Sequence, residues 1–203
     1  ALNQDGDLVQ RFIREARTQG RLEHHGIIPV YEVYQEGGLN FYTMPRIQGP
    51  SLRRFIKENP RMPIETVRRL LAEAADALGY AHRQGLIHRD VKPENMLMDS
   101  QRNRLILTDF GIAKTLSSVT MLTLTGEQLG TPRYMAPDQS DSKRPLDGRS
   151  DQYSLGLVGY EMLAGHMAFQ ADSLAELMYK HRYEEPEPLG SLRPDAPAGL
   201  IVA

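Results

Sequence analysis

The chain has 203 residues, and its 24 Lys and Arg residues nearly balance 26 Asp and Glu residues, which gives a net charge of −2 at pH 7. A chain of this length can bury a core without disulfide or metal staples, and its charge balance argues against a basic nucleic-acid-binding surface or a polycationic membrane patch. Cysteine is absent, which excludes disulfides, thiolate nucleophiles and cysteine-based zinc sites, and no uncharged apolar run is long enough to span a bilayer.

The N-terminal part of the chain is predicted to contain one helix and one hairpin. Residues 7–22 carry apolar side chains mostly at helical spacing, which indicates an amphipathic helix. Within residues 30–44, two runs rich in β-forming residues flank Gly37 and Gly38, and a Gly-Gly pair in this position favours a tight hairpin. Pro45 then interrupts the regular pattern.

This interruption is our predicted boundary between two parts of the chain. Residues 1–47 form a small strand-bearing part, and residues 48–203 form a larger, mainly helical part. Position 1 is Ala rather than Met, and a helix-like pattern follows at once, so we expect the sequence to be a piece of a longer protein.

The larger part is predicted to contain four helices and a second hairpin. Ser51 suits the N-cap of the first helix, Pro63 the first turn of the second and Gly165 the C-cap of the third. The predicted helices cover residues 52–56, 64–84, 153–163 and 173–182, and the hairpin strands cover 96–98 and 105–107. Residues 112–150 are polar and poorly periodic, which predicts a long functional or disordered loop, and the proline-rich tail is expected to be irregular.

The pair His24-His25 raises the question of a metal site. Adjacent residues are expected to point apart, and no second pair of ligands is spaced to meet them. We therefore predict no metal site at this pair.

Three short motifs follow the long predicted helix in a fixed order. They are His-Arg-Asp-Val-Lys-Pro-Glu-Asn at 88–95, Asp-Phe-Gly at 109–111 and Gly-Thr-Pro-Arg-Tyr-Met-Ala-Pro-Asp at 130–138. With these motifs, the chain resembles the eukaryotic-type serine/threonine protein kinases. The stretch FIREARTQGRLEHHGIIPVYEV at 12–33 is most similar to the bacterial members.

The resemblance implies a fold and an activity. The expected fold is α+β, a two-lobe protein-kinase-like fold with an incomplete small lobe and a mainly helical large lobe. The expected reaction is ATP- and Mg²⁺-dependent phosphoryl transfer to Ser or Thr of protein substrates. The expected location is the cytoplasm, where ATP is, and the chain could be the cytoplasmic part of a membrane-anchored kinase. We expect no nucleic-acid partner and no membrane segment within the chain.

The resemblance also assigns the residues that carry the reaction. Phosphoryl transfer depends on positioning and charge neutralisation more than on covalent chemistry. Asp90 would accept or orient the substrate hydroxyl proton, and Lys92 would offset charge on the transferring group. Asn95 and Asp109 would hold Mg²⁺ through oxygen atoms, and Thr131 would bond to Asp90 and Lys92 beneath the substrate pocket.

Two other interpretations of these aspartates are open. Asp90 and Asp109 could be surface turn residues, or they could be the paired carboxylates of a glycosidase-type site. Neither interpretation explains why Lys92 and Asn95 stand beside Asp90.

A second set of residues is implied to bind the nucleotide. Met44 would be the gatekeeper at the end of the first hairpin, Pro45 and Ile47 would belong to the hinge that meets adenine, and Leu97 would lie under the adenine ring. Glu94 is placed in the same binding group. Proline lacks an N–H but keeps its carbonyl, so Pro45 need not abolish adenine binding. Ordinary core packing is the alternative for Met44 and Leu97.

Three further roles are implied around the catalytic motif. Asp151 would anchor the backbone of residues 88–90 from below, although it could instead be a first-turn helix acid. Arg89 would pair with a phosphorylated residue of the long loop, and Thr123 or Thr125 would carry that phosphate. The alternative is that these threonines belong to a solvated loop.

The chain also departs from the kinase pattern. A glycine-rich strand pair and a strand lysine that grips the α/β-phosphates do not occur in this sequence, so Glu15, which matches the acid that pairs with that lysine, has no visible partner. The family's Ala-Pro-Glu ends here in Asp138, which is one methylene shorter. The alternative function is a non-catalytic kinase-like module that binds or regulates a partner. We expect the 203-residue chain alone to have little or no turnover.

Overall fold

The computed structural model describes residues 2–36, 39–110, 132–140 and 146–201. Its helices are α1 (Leu2–Gln19), α2 (Leu52–Glu58), α3 (Ile64–Arg83), α4 (Gly148–Ala164), α5 (Leu174–Tyr183), α6 (Leu189–Leu192) and α7 (Ala198–Ile201). Its strands are β1 (Glu32–Glu36), β2 (Leu39–Thr43), β3 (Met96–Asp99) and β4 (Arg104–Leu107). The fold is therefore α+β, as predicted.

The first hairpin packs against α1 through a small cluster of its own. Strands β1 and β2 are antiparallel, with a register that runs from Glu32 opposite Thr43 to Glu36 opposite Leu39. Alternation along these strands turns Val33 and Tyr42 toward α1, where they contact the cluster of Phe12 and Ala16. The predicted turn residues 37 and 38 lie outside the described residues.

The main core is built around α3, whose apolar face is buried. Its buried residues are Val67, Leu70, Ala74, Ala77, Leu78 and Ala81. This face packs against α4 and β4, and Gly159 of α4 allows a close approach, because a Cβ there would lie 3.1 Å from Cδ1 of Leu71. Burial of these apolar side chains is the main stabilising contribution to this part of the fold.

Most predicted caps are confirmed. The Ser51 side chain accepts a hydrogen bond from the N–H of Arg54, and Gly165 ends α4 in the left-handed conformation with φ +80°. Pro63 was predicted in the first turn of α3, but it precedes that turn as the N-cap residue, with an extended ψ of 135°. A proline at this position loses no helical hydrogen bond because the N-cap N–H has no partner within the helix.

Two regions predicted to be irregular contain regular structure. Within the stretch 112–150, residues 132–134 and 137–140 form 3-10 turns, and α4 begins at Gly148 rather than at residue 153, so Asp151 is its fourth residue. The side chain of Asp147 caps α4 by accepting from the N–H of Arg149. The proline-rich tail forms the two single-turn helices α6 and α7.

Two backbone connections bring the hairpins together. Leu107 of β4 exchanges hydrogen bonds with the chain before β1, through Ile28 N–H to Leu107 O at 2.9 Å and Leu107 N–H to Gly26 O at 2.8 Å. The segment after the first hairpin runs beside β3, where the Met98 N–H donates to Pro50 O at 2.9 Å. Among the described helices, none has the length and apolar character needed to cross a membrane.

Candidate active site

Asp151 fixes the backbone of the His-Arg-Asp motif from within α4. Its carboxylate is 1% exposed, and its two oxygens accept from consecutive N–H groups, those of His88 at 2.8 Å and Arg89 at 2.7 Å. Arg89 has φ +64°, a conformation that a non-glycine residue adopts only at a cost. His82 lies 2.7 Å from the same carboxylate through Nε2. The predicted anchoring by Asp151 is confirmed.

His88 joins this loop to the Asp-Phe-Gly segment. Its ring is buried, and burial lowers its pKa, so the ring is neutral at pH 7. The Asp90 N–H donates to Nδ1 at 3.3 Å, which leaves the ring proton on Nε2, 3.1 Å from Thr108 O. The ring also packs on Phe110, with centroids 4.4 Å apart. One buried histidine thus sets the relative position of two motifs.

The predicted catalytic residues Asp90, Lys92 and Asn95 lie together. Lys92 Nζ is 2.8 Å from Asp90 Oδ2, and Asn95 Nδ2 donates to both Asp90 O and Asp90 Oδ2 at 2.9 Å. The Thr108 N–H donates to Asn95 O at 3.0 Å, so the residue before Asp109 is attached to this group. The arrangement brings a carboxylate, an ammonium group and a carboxamide together at one place.

Asp109 follows β4 with φ +57° and is bonded to the first hairpin. The Tyr42 hydroxyl donates to its Oδ1 at 2.7 Å. Burial, and then the adjacent Asp109 carboxylate, raise the pKa of Tyr42 above its ordinary value, so this hydroxyl keeps its proton. Tyr42 was not predicted as a site residue, because only the fold brings it to Asp109.

The donor set fits a hard cation. The Nδ2 of Asn95 donates its hydrogen bonds to Asp90, so the Oδ1 of Asn95 is the atom that would bind a cation. Asp109 offers a carboxylate. Carboxylate and amide oxygens are the ligands that Mg²⁺ takes in proteins.

The predicted nucleotide-binding residues Met44, Pro45, Ile47 and Leu97 lie at the end of the first hairpin, in the segment that follows it and in β3. Met44 follows β2, and its Sδ accepts from Thr108 Oγ1 at 3.7 Å. Pro45 and Ile47 are half-buried in the irregular segment that leads to α2. Leu97 is half-buried in β3 and forms a bridge with Ser51 at the end of that segment. The structure therefore brings Met44 to the Asp-Phe-Gly segment and Leu97 to the chain that follows Ile47.

Glu94 is the exposed end of a charge network that the sequence did not reveal and that reaches the buried Glu161. Arg53 of α2 donates to Glu94 Oε1 at 2.7 Å and to Glu161 Oε1 at 2.6 Å. The Tyr134 hydroxyl accepts from Arg53 and donates to Glu161. The signal available in the sequence was Glu161 itself, an acid in a helix that is apolar almost all round, because a buried carboxylate requires a partner.

Gln139 was also missed, and it binds the carbonyl of Arg89, whereas Asp151 binds the N–H of the same residue. Its Nε2 donates to Arg89 O at 2.7 Å, while its Oε1 accepts from the Ala136 N–H at 2.9 Å. The neighbouring Asp138, the shortened acid, accepts from Ser150 Oγ of α4 at 2.6 Å. The Ala-Pro-Asp segment is thereby tied to both the loop and α4.

Several predicted residues lie outside the described part of the chain. Thr131, Thr123 and Thr125 fall within the undescribed residues 111–131. The backbone of Glu15 belongs to α1, but its side chain lies outside the described residues.

The geometry expected at His24-His25 was wrong. The two rings stack with centroids 4.4 Å apart rather than pointing apart, and Asp76 of α3 lies 3.2 Å from His24 Nε2 and 4.0 Å from His25 Nε2. The three residues place ligand atoms within 4.8 Å of one another. However, His24 Nδ1 accepts from the Gly26 N–H at 3.1 Å, so Nε2 carries the proton and donates to Asp76. A metal bound to His24 Nε2 would force the ring proton onto Nδ1. A protonated Nδ1 could no longer accept the hydrogen bond from the Gly26 N–H.

Comparison with known proteins assigns the fold to a family. The protein kinase domain family matches residues 2–189. The chain is 34% identical over 97% of its length to a probable serine/threonine-protein kinase of Clostridium acetobutylicum. It is 37% identical over 92% of its length to the serine/threonine-protein kinase PknB of Mycobacterium leprae, and 32% identical over 97% to PrkC of Bacillus subtilis. The chain spans 30% of the length of each of these three relatives. It belongs to the protein kinase domain family.

Proposed function

We propose that this chain carries the catalytic residues of an ATP- and Mg²⁺-dependent kinase that phosphorylates Ser or Thr in proteins. The observation that supports the proposal best is the cluster of Asp90, Lys92 and Asn95, bonded through Thr108 to the segment that bears Asp109. A pair of unrelated surface aspartates would not account for an ammonium group and a carboxamide bonded to the same carboxylate. The names of the relatives support the same activity.

Each residue of the cluster has a distinct task in this proposal. Asp90 accepts the proton of the substrate hydroxyl, and its bond to Asn95 Nδ2 orients the carboxylate for that task. Lys92 neutralises charge on the transferring phosphoryl group. Asn95 and Asp109 would hold Mg²⁺, which supplies charge neutralisation on the phosphate oxygens when bound. Thr131 is proposed to support Asp90 and Lys92.

The nucleotide is proposed to lie between the segment after β2 and strand β3. Met44, Pro45 and Ile47 would border adenine on one side and Leu97 on the other, with Glu94 and Glu15 contributing to the same region. The contact of Met44 with Thr108 and the bridge of Leu97 with Ser51 support this placement. The division into lobes at residues 47 and 48 is also proposed, and the separate cluster of Phe12 and Ala16 supports it for α1 and the first hairpin, whereas Leu22 and Ile27 pack with the large cluster.

Two further proposals concern regulation and location. Thr123 or Thr125 would carry an activating phosphate, and mass spectrometry of active protein that finds both unmodified would remove this proposal. The catalytic part would face the cytoplasm, where its cosubstrate ATP is found.

The decisive experiment is phosphoryl transfer from radiolabelled ATP to casein by the full-length protein that contains this chain. Asp90→Asn should lower the rate by at least about 100-fold, because it removes the general base while keeping the size of the side chain. Asp172→Asn, an exposed acid remote from the motif, should retain the wild-type rate. If the wild-type protein binds ATP but transfers no phosphate, the alternative of a non-catalytic kinase-like module is correct.

A further inference from the structure

Tyr42 is joined to Asp109 by a hydrogen bond that spans 67 positions of the sequence. The distance between Tyr42 Oη and Asp109 Oδ1 is 2.7 Å, which is the usual length of a hydroxyl bond to a charged acceptor. The bond connects β2 with the segment after β4, so it is made only when both hairpins are in place.

The orientation of the Tyr42 ring is set by its strand and by α1. Along β2, Phe41 faces away from α1 and stacks on Tyr34 with centroids 5.1 Å apart. Tyr42 faces the opposite way, and its ring lies 6.2 Å from that of Phe12 on α1. The half-buried ring therefore has little freedom to turn its hydroxyl away from Asp109.

The residues on either side of Asp109 restrain its backbone but not its carboxylate, so the carboxylate needs a hydrogen-bond partner of its own. The next residue, Phe110, is 2% exposed and packs on His88, and Thr108 is bonded to both His88 and Asn95. These contacts determine where the Asp109 Cα lies, but none of them holds its carboxylate. Tyr42 supplies that restraint, and with Oδ1 occupied, Oδ2 is the oxygen left for a cation.

We propose that Tyr42 is a positioning residue for Asp109, which fixes the carboxylate that would hold Mg²⁺ and ties its orientation to the packing of α1. The inference rests on the proposed Mg²⁺–nucleotide site. Displacement of α1 would move the Tyr42 ring through Phe12 and would release Asp109, so the affinity for the cation would depend on where α1 lies.

The test is Mn²⁺ binding in the presence of ADP, measured by electron paramagnetic resonance on the full-length protein that contains this chain. Tyr42→Phe keeps the ring contact with Phe12 and removes the hydroxyl, and it should weaken Mn²⁺ binding about tenfold, which corresponds to about 1.4 kcal/mol. Tyr34→Phe is the matched control, because it removes a hydroxyl from the same hairpin that donates to Glu32 and not to Asp109. This control should bind Mn²⁺ as the wild type does.

A second measurement keeps the wild-type side chains around the site. 3-Fluorotyrosine placed at position 42 should change its fluorine chemical shift when Mg²⁺ and ADP are added, and the same label at position 34 should not. Wild-type affinity in Tyr42→Phe, or a label at position 42 that does not respond to bound Mg²⁺, would overturn the role of Tyr42. A wild-type protein that binds no Mn²⁺ with ADP would instead overturn the proposed nucleotide site itself.

Discussion

Arg53 of α2 and Glu161 of α4 form an ion pair across the protein interior, with Nη1 and Oε1 2.6 Å apart. The Glu161 side chain is 6% exposed, whereas that of Arg53 is 27% exposed and also reaches Glu94. The Tyr134 hydroxyl completes the group, and burial followed by the Glu161 carboxylate raises the pKa of this tyrosine. A buried carboxylate is thus satisfied by partners from two distant segments.

Glu161→Gln should destabilise the fold by about 2 kcal/mol, measured by urea denaturation. Removal of one partner of a buried pair commonly costs about 3–5 kcal/mol, but Arg53 keeps Glu94 and some contact with water, which reduces the loss. Glu94→Gln is the matched control at the exposed end of the same arginine, and it should cost less than about 1 kcal/mol. Equal losses for the two variants would show that burial of Glu161 is not what gives the pair its strength.

Asp151→Asn should destabilise the protein by about 2–4 kcal/mol in thermal or urea unfolding. Asparagine keeps the shape but has one acceptor oxygen, so its NH₂ group would face the N–H of His88 or Arg89, and a buried donor would lose its partner. Asp147→Asn serves as control, because asparagine is as good an N-cap as aspartate, and it should change stability by less than about 0.5 kcal/mol. A near-neutral Asp151→Asn would mean that the strained loop at Arg89 is held by other contacts.

Substitution by alanine should lower the stability of the protein at Gly49 and raise it at Gly156. At Gly49, φ is +152° and a Cβ would lie 1.8 Å from Met98 O, so Gly49→Ala should cost about 3 kcal/mol or more. At Gly156, inside α4, a Cβ would meet nothing within 4 Å, so Gly156→Ala should stabilise the protein by about 0.5–1 kcal/mol. Denaturation midpoints of the two variants measure both effects, and a tolerated Gly49→Ala would contradict the close packing of this segment on β3.

The local spacing of apolar residues was enough to predict those helices and strands that bury one face against the core. The helix over residues 64–84 and the strands of the two hairpins were predicted from near neighbours in the sequence, and these elements are confirmed. The role of Asp151 followed from its place relative to known motifs. The start of α4 was missed because its first turn is polar: Arg149 is exposed there, and the buried Ser150 donates a hydrogen bond to Asp138.

Contacts between distant polar residues could not be predicted in the same way. Arg53 lies 81 positions from Tyr134 and 108 from Glu161, and no spacing rule connects them. The same holds for Tyr42 and Asp109, which meet only because Leu107 pairs with the chain before β1. The stacked rings of His24 and His25 lie in a turn, where the alternation that separates neighbouring side chains in a strand does not apply.

The stability of the protein should fall as the pH is lowered below about 6.5, in part because of His181. Burial lowers the pKa of this histidine below its ordinary value of 6.5, and its Nδ1 lies 2.8 Å from the hydroxyl of Tyr153, which can donate to it only while the ring is neutral. The unfolded chain therefore binds a proton that the folded protein does not. The contribution is fully present above pH 6.5 and is lost between pH 6.5 and the lower folded-state pKa, with a slope of at most about 1.4 kcal/mol per pH unit.

Urea denaturation between pH 5 and pH 8 measures this slope, and His181→Gln should make it shallower. The slope that remains is expected from His88, whose pKa is also lowered by burial. Phe169→Leu is the matched control, because Phe169 packs on the His181 ring at 5.0 Å but carries no proton. It should lower the free energy of unfolding by a similar amount at every pH and leave the slope unchanged. An unchanged slope in His181→Gln would show that His181 binds its proton equally well in the folded and unfolded states.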